Sequence, residues 1–141
     1  MREVKDTKRA TVRVGYDGKV YKRYLGPGAE LRFRNEVKVL KYLESQGCDF
    51  VPKLISEDPE SLSIVTTNMG QIVQKISEEK KLAMFHSLEQ YGVEHGDPFA
   101  RNITYDDRMG RFCVIDFEFA TILSTGEGLK IEDIKKPGEL S

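Results

Sequence analysis

The sequence predicts an α+β fold, and three observations support that prediction. Short runs of β-forming residues alternate with turn residues along the chain, which is typical of antiparallel hairpins. Longer segments between these runs carry apolar residues at the three- and four-residue steps of an amphipathic helix. The length of 141 residues, with 39% hydrophobic and 32% charged residues, suits one modest domain or two small lobes that share a site.

The first half of the chain is expected to form two hairpins with a helix between them. The predicted elements are strands at 10–15 and 19–25, a helix at 29–45, and strands at 51–55 and 62–66. Asp17-Gly18 lies between alternating β-forming residues and is a strong hairpin signal. Gly26-Pro27-Gly28 separates the sheet from the helix, whose apolar residues share one face. A polar turn at 56–61 joins the second pair of strands.

The second half is expected to form a helix followed by a third hairpin. Ser77 is a good helix cap, the acidic residues after it favour the positive helix end, and Gly92 marks the stop. The side chains predicted to face inward from this helix are Leu82, Phe85 and Leu88. The further predicted elements are strands at 103–105 and 112–115, a turn at 106–111 between them, and a polar tail at 124–141.

Composition and charge argue against several classes of protein. The 22 Lys plus Arg balance 23 Asp plus Glu and give a net charge of -1, whereas nucleic-acid binders usually carry a basic excess. No apolar run approaches the roughly 20 residues that span a bilayer, and the charged N-terminal residues are unlike a signal peptide. Cys48 and Cys113 lie in apolar stretches, so buried free thiols are expected rather than a zinc site. These features favour a cytoplasmic protein with neither a membrane nor a nucleic-acid partner.

Polar residues gather around the third predicted hairpin in a pattern that suits metal-assisted chemistry. Antiparallel pairing of its strands would bring Asn102 and Asp116 to the same end of the hairpin. Amide and carboxylate oxygens are ligands that Mg²⁺ accepts, and water and phosphate oxygens complete its shell. Asp97 lies on the preceding loop, where it is placed to take a proton from a nucleophile. Taken singly, the three residues are also explained as a strand-edge cap, the polar end of a strand and a turn former.

Residues 95–102 (His-Gly-Asp-Pro-Phe-Ala-Arg-Asn) and 115–118 (Ile-Asp-Phe-Glu) resemble the protein-kinase-like superfamily, in which a His-Arg/Gly-Asp-x4-Asn loop precedes an Asp-Phe-Gly-type metal motif. The forms found here are more similar to the RIO-type, aminoglycoside and choline kinase branches than to typical protein kinases. The resemblance implies that Asp97 is the catalytic base, that Asn102 and Asp116 bind Mg²⁺, and that ATP is the phosphoryl donor. It also implies that His95 braces the metal-binding segment.

The first half of the chain contains a lysine and a glutamate that fit the same resemblance. Glu36 follows Phe33 by three residues and precedes Leu40 by four, so it lies on the flank of the buried helical stripe. A buried carboxylate without a partner costs on the order of several kcal/mol, which makes Lys22 on the second strand its natural partner. The alternative is an exposed Glu36 or a surface salt bridge. The resemblance implies that Lys22 contacts the α- and β-phosphates of ATP and that Glu36 holds it in place.

Kinase order implies a nucleotide-binding linker at 67–70, with Thr67 and Met69 as its adenine-binding residues. Candidates for the apolar walls around adenine are Val20, Ile64 and Ile115, although each is more simply explained as a core residue. The Gly15–Gly18 turn is either an ordinary hairpin turn or a reduced form of the Gly-rich phosphate cover.

The resemblance implies a reduced, two-lobed kinase-like fold: an N-lobe at 1–70, a truncated C-lobe at 71–123 and the tail at 124–141. The function expected is an ATP- and Mg²⁺-dependent phosphotransferase, either a minimal Ser/Thr protein kinase or a small-molecule kinase. The acceptor is not readable from the sequence, and a second copy or a partner protein would have to complete the cleft for a folded protein substrate. The alternatives are a pseudokinase-like module that binds ATP and an α+β interaction domain with coincidental motifs.

Overall fold

The computed structural model describes residues 2–6, as backbone, and 9–134. It confirms the α+β prediction, because the described part contains three antiparallel sheets and two α-helices. The helices are α1 (Ala29–Ser45) and α2 (Glu78–Gln90). The strands are β1 (Arg2–Asp6), β2 (Ala10–Val14), β3 (Val20–Tyr24), β4 (Leu54–Asp58), β5 (Ser63–Thr66), β6 (Gln71–Ile72), β7 (Val93–Glu94), β8 (Ile103–Asp106), β9 (Arg111–Val114) and β10 (Thr121–Ile122). Neither helix is long and apolar enough to cross a membrane.

The first sheet has five strands in the order β1-β2-β3-β5-β4. Lys22 lies in the middle of β3, where it is opposite Val12 on one neighbouring strand and Ile64 on the other. Helix α1 follows this strand after Gly28, which adopts the left-handed conformation that favours glycine. The buried side chains of α1 include Phe33, Leu40 and Leu43, as its periodicity predicts. The sheet therefore presents Lys22 toward the same interior that α1 covers.

The second half contains α2, the β6-β8-β9 sheet and the two-stranded β7-β10 sheet. Ser77 caps α2 by accepting a hydrogen bond from the backbone N–H of Lys80 at 3.1 Å, as its position before two acidic residues predicts. The β8-β9 hairpin forms around the predicted turn and places Ile103 opposite Val114. The core of both halves is continuous, because Leu43, Leu88 and Val114 belong to one buried apolar cluster.

Several sequence predictions need correction. No strand was predicted before residue 10, yet β1 pairs with β2. The strand predicted at 51–55 instead forms at Leu54–Asp58. Val51 and Pro52 are buried core residues that precede the strand, whereas the polar run of β4 lies at the edge of the sheet, where both side-chain faces reach water.

The inward stripe predicted for α2 is correct for Phe85 and Leu88 but wrong for Leu82, whose exposed fraction is 59%. The three-residue spacing of Leu82, Phe85 and Leu88 predicted a wider apolar face than the helix buries, since only Phe85 and Leu88 are buried. The predicted tail is ordered as far as the structure describes it, because Gly128 forms a bridge with Thr121 and 131–134 form a short 3-10 helix. Residues 135–141 lie outside the described part. Cys48 and Cys113 are buried free thiols, as expected.

Candidate active site

A cleft of about 1040 Å³ lies between the five-stranded sheet and the segment that surrounds the β8-β9 hairpin. Six residues that the sequence singled out line it: Lys22, Glu36, Thr67, Met69, Asp97 and Asp116. Asn102 is fully buried next to Asp97. The fold therefore gathers the predicted site residues, which are distributed over most of the chain, around one cavity.

Lys22 and Glu36 form a buried ion pair, with 2.8 Å between Nζ and Oε1. Their exposed fractions are 9% and 4%, so the alternative of an exposed Glu36 or a surface salt bridge is wrong. Glu36 also accepts a hydrogen bond from the hydroxyl of Tyr24 and, at 2.8 Å, one from the backbone N–H of Phe117. The glutamate thus ties β3 and α1 to the segment that follows β9.

Lys22 contacts two further carboxylates. Its Nζ is 3.1 Å from Asp116 Oδ1 and 2.9 Å from Glu118 Oε2. Burial alone would lower the pKa of Lys22, but the charges of Asp116, Glu118 and Glu36 outweigh it and hold that pKa well above its usual value. Lys22 is therefore a permanent cation at the base of the cleft. Three oxygen acceptors match the three N–H donors of an ammonium group.

Glu118 and Arg32 complete this network, and sequence reasoning assigned neither a role. Arg32 lies on α1, has no exposed surface and donates to Glu118 Oε1 at 2.7 Å. Its remaining donors bind the backbone carbonyls of Arg9, Leu25 and Pro27. One signal was available, because Arg32 precedes Glu36 by one helical turn and so shares its inward face. Burial raises the pKa of Glu118, although the charge of Lys22 opposes this shift.

The loop before β8 is organised by Asn102. Its Nδ2 donates to both the backbone carbonyl and the Oδ2 atom of Asp97, each at 2.9 Å. These two acceptors fix the orientation of the amide, since a flip would point its oxygen at two oxygens. Asn102 Oδ1 is then a buried acceptor without a partner among the described residues. Such an atom is unusual in a folded protein and can accept from a water molecule or bind a cation.

His95 braces the segment that leads to Asp116. Its Nδ1 accepts from the backbone N–H of Asp97 at 3.1 Å, so Nε2 carries the proton and donates to the carbonyl of Ile115 at 2.9 Å. Burial lowers the pKa of His95, although the Ile115 carbonyl opposes this shift, so the ring is held neutral. The bracing role expected for His95 agrees with this geometry.

Asp97 is held by a cation as well as by Asn102. One guanidinium nitrogen of Arg101 lies 2.8 Å from Oδ1 and 3.0 Å from Oδ2 of Asp97. The same guanidinium lies over the ring of Phe99, 4.6 Å from its centroid. The carboxylate is therefore oriented at the edge of the cleft by two donors from its own loop.

Asn102 and Asp116 lie at the same end of the β8-β9 hairpin, since the N–H of Ile115 donates to the carbonyl of Asn102 at 2.9 Å. Asp116 has φ of 70°, a left-handed conformation that costs an L residue on the order of 1 kcal/mol or more. The donor set fits Mg²⁺, which prefers oxygen ligands such as a carboxylate and an otherwise unsatisfied amide oxygen. Glu36, Asp116 and Glu118 also have carboxylate oxygens within 4.8 Å of one another, but Lys22 already contacts all three.

The 67–70 linker lies along the opposite wall of the cleft. The carbonyl of Met69 accepts from Thr104 Oγ1 at 2.6 Å, whereas its backbone N–H has no partner within the described residues. The carbonyl of Thr67 accepts from Thr66 Oγ1 at 3.1 Å. The predicted apolar wall residues Val20, Ile64 and Ile115 all line the same cavity.

The Gly15–Gly18 turn offers few donors to a ligand. The N–H of Gly15 binds the carbonyl of Lys19, and the N–H of Gly18 binds that of Gly15. The N–H of Lys19 binds Asp17 Oδ1 at 2.9 Å. Gly18 does line the cleft, but these bonds are those of an ordinary hairpin turn.

Comparison of the chain with protein-family models and with curated proteins found no match. Its function is therefore inferred from the geometry of this site. The cleft combines a buried cation, a carboxylate suited to a divalent metal and a second carboxylate at its edge, next to which the amide of Asn102 is buried. That combination can neutralise a polyphosphate and orient a hydroxyl group beside it.

Proposed function

We propose that the protein is an ATP- and Mg²⁺-dependent phosphotransferase with a reduced, two-lobed kinase-like fold. The observation that carries the proposal is the buried Lys22–Glu36 pair, whose ammonium group lies 3.1 Å from Asp116 in the same cleft as Asp97. A buried cation that is already paired costs no further desolvation when a phosphate replaces one of its partners.

The nucleotide base would lie between the 67–70 linker and the apolar wall residues. The unpartnered N–H of Met69 supplies a donor for a ring nitrogen of adenine. Lys22 would then bind phosphate oxygens at the base of the cleft, while Glu36 keeps the ammonium in position. Thr67 contributes backbone groups to the same wall.

Asn102 and Asp116 would hold Mg²⁺, which when bound neutralises charge that develops on the phosphate oxygens. Asp97 would orient the acceptor hydroxyl and take its proton. A bond then forms between the acceptor oxygen and the γ-phosphorus, and the bond to the β–γ bridging oxygen breaks. ADP leaves with that electron pair. Arg101 and Asn102 hold the carboxylate of Asp97 at the edge of the cleft for this role.

The acceptor is a hydroxyl group on a protein Ser or Thr, on the chain itself or on a small molecule. A folded protein acceptor would need a second copy of the chain or a partner protein to complete the cleft. The buried thiols of Cys48 and Cys113 fit activity in a reducing compartment such as the cytoplasm.

A second candidate is a pseudokinase-like module that binds ATP and does not transfer phosphate. The Gly15–Gly18 turn favours this alternative, because the N–H groups of Gly15, Gly18 and Lys19 donate within the turn rather than toward the cleft. The oriented carboxylate of Asp97 favours the enzyme, because a nucleotide binder has no use for a base at that position.

Two measurements test the proposal. The melting temperature is recorded with and without Mg²⁺-ATP for the wild type and Asp116→Asn, and the wild type alone is expected to gain several degrees. Transfer of labelled γ-phosphate to the chain or to added hydroxyl acceptors is then followed for the wild type and Asp97→Asn. We expect transfer by the wild type to exceed that of the variant by at least about 100-fold, the usual effect of losing a general base.

Glu89→Gln provides a matched control, because it replaces an exposed carboxylate by an amide on α2, away from the cleft. It should behave as the wild type in both measurements. Absence of any ATP-dependent stabilisation of the wild type contradicts both nucleotide functions. Stabilisation without transfer to any acceptor supports the ATP-binding module instead.

A further inference from the structure

Glu118 is the only carboxylate in the described part that binds both Lys22, which lines the cleft, and the buried Arg32. Its Oε1 atom lies 2.7 Å from Arg32 and its Oε2 atom lies 2.9 Å from Lys22. Arg32 is held in turn by the backbone carbonyls of Arg9, Leu25 and Pro27. Glu118 therefore has a fixed position that does not depend on any ligand.

The three carboxylates around Lys22 are not equivalent. The side chains of Glu36 and Glu118 are 5% and 8% exposed. Asp116 is 19% exposed, and its contact with Lys22, at 3.1 Å, is the longest of the three. Because an ammonium group has three donors, a phosphate oxygen can bind Lys22 only by displacing one of these partners. Asp116 is the partner that the geometry allows to leave.

We propose that Glu118 is a positioning residue that keeps Lys22 in place while a phosphate oxygen replaces Asp116 at its ammonium group, so that Asp116 is released to a divalent cation when nucleotide binds. Arg32 keeps Glu118 in that position. This inference rests on the proposed function of the same cleft. If it is correct, metal affinity depends on Glu118 and Arg32, neither of which binds the metal. Residues that orient a metal ligand commonly have this effect.

Replacement of Arg32 tests the inference through the direction in which cation affinity changes. Arg32→Gln removes a positive charge near the metal site, and simple electrostatics predicts tighter cation binding. The positioning role predicts the opposite, because Glu118 loses its anchor and Lys22 then keeps its contact with Asp116. Glu118→Gln keeps the volume of the side chain and is also expected to weaken metal binding.

The readout is the affinity for the ATP analogue adenylyl imidodiphosphate, measured by calorimetry in EDTA and at a series of Mg²⁺ concentrations. The dissociation constant in EDTA, divided by that at the highest Mg²⁺ concentration, isolates the contribution of the metal. We expect Glu118→Gln and Arg32→Gln to reduce this ratio by about 10- to 100-fold. Lys38→Gln, which removes an exposed cation of α1 paired with Glu127 at 2.7 Å, should leave the ratio unchanged.

A Lys22→Met background separates positioning from direct action. If Glu118 acts through Lys22, Glu118→Gln has no further effect on the ratio in that background. An equal reduction in both backgrounds would show that Glu118 acts on the metal directly and would overturn the inference. Circular dichroism checks the fold of each variant, and the Glu118 variants decide the matter if Arg32→Gln does not fold.

The wild type distinguishes failure of the inference from failure of the proposed function. A wild-type ratio of one means that Mg²⁺ does not assist nucleotide binding, which contradicts the proposed function. A large wild-type ratio that Arg32→Gln raises or leaves unchanged overturns the inference alone.

Discussion

Replacing Lys22 by methionine is expected to lower the free energy of unfolding by about 3–5 kcal/mol, the usual cost of breaking a buried ion pair. The variant keeps a side chain of similar length and removes the charge. Glu36, Glu118 and Asp116 then lose their contacts with Nζ, at 2.8, 2.9 and 3.1 Å. The loss is expected in the absence of any nucleotide or metal.

The remaining contacts limit the size of this effect. Glu36 keeps its hydrogen bonds from Tyr24 and from the backbone of Phe117. Glu118 keeps Arg32, and the more exposed Asp116 can be hydrated. One buried carboxylate, that of Glu36, is therefore left without a cation, so the expected cost is that of one broken pair rather than three.

Urea unfolding followed by circular dichroism measures the change, with thermal unfolding as a second probe. At about 2–4 °C per kcal/mol for a chain near this size, the melting temperature should fall by roughly 6–20 °C. Lys41→Met is the matched control, because Lys41 pairs with Glu57 at 2.9 Å but the two side chains are 61% and 34% exposed. It should cost no more than about 1 kcal/mol.

Equal destabilisation by Lys22→Met and Lys41→Met would refute this reasoning. That result would mean that the carboxylates around Lys22 are hydrated or protonated in the folded protein and that the ion network contributes little to its stability. A double variant, Lys22→Met with Glu36→Gln, should recover part of the loss, because it removes the unpaired carboxylate.

Two further predictions concern the loop that carries the site. Because the fold lowers the pKa of His95 while an unfolded histidine titrates near about 6.5, stability should decline as pH falls below that value. His95→Gln should remove this part of the decline in urea unfolding between pH 5 and 7.5. Gly96→Ala should destabilise far more than Gly110→Ala in thermal unfolding: both have positive φ, but only at Gly96 would a Cβ overlap the Phe119 carbonyl. Similar melting temperatures for the two alanine variants would contradict that clash.

The sequence predicted those parts of the fold in which local pattern and burial agree. Helix α1 and the β8-β9 hairpin form where periodicity and turn residues place them. Glu36 was predicted to be paired because a carboxylate on an apolar face needs a cation, and it is. Strand β4 was misplaced because it lies at the edge of the sheet with both faces reaching water, so its side chains are mostly polar and carry no apolar signal.

In the candidate site, the sequence predicted a role only for residues that the motifs or an apolar helix face singled out. Glu118 belongs to the motif at 115–118, but the sequence indicated no partner for it, because Arg32 is 86 positions away. Arg32 itself resembled an exposed helical arginine, which is the common case. Its burial depends on hydrogen bonds to the carbonyls of Arg9 and Leu25. The local sequence does not predict the direction of carbonyl groups in a loop.

The bonds that α1 makes to the segment after β9 also bear on how the chain folds. Glu36 binds the N–H of Phe117 across 81 positions, and Asn35 donates to the carbonyls of Glu118 and Ala120 across 83 and 85. Contacts this distant in sequence form only after a long stretch of chain has closed, which slows folding. Helix α1 and the hairpins can form early from local contacts. The cleft is then assembled in the last steps of folding, when these distant segments meet.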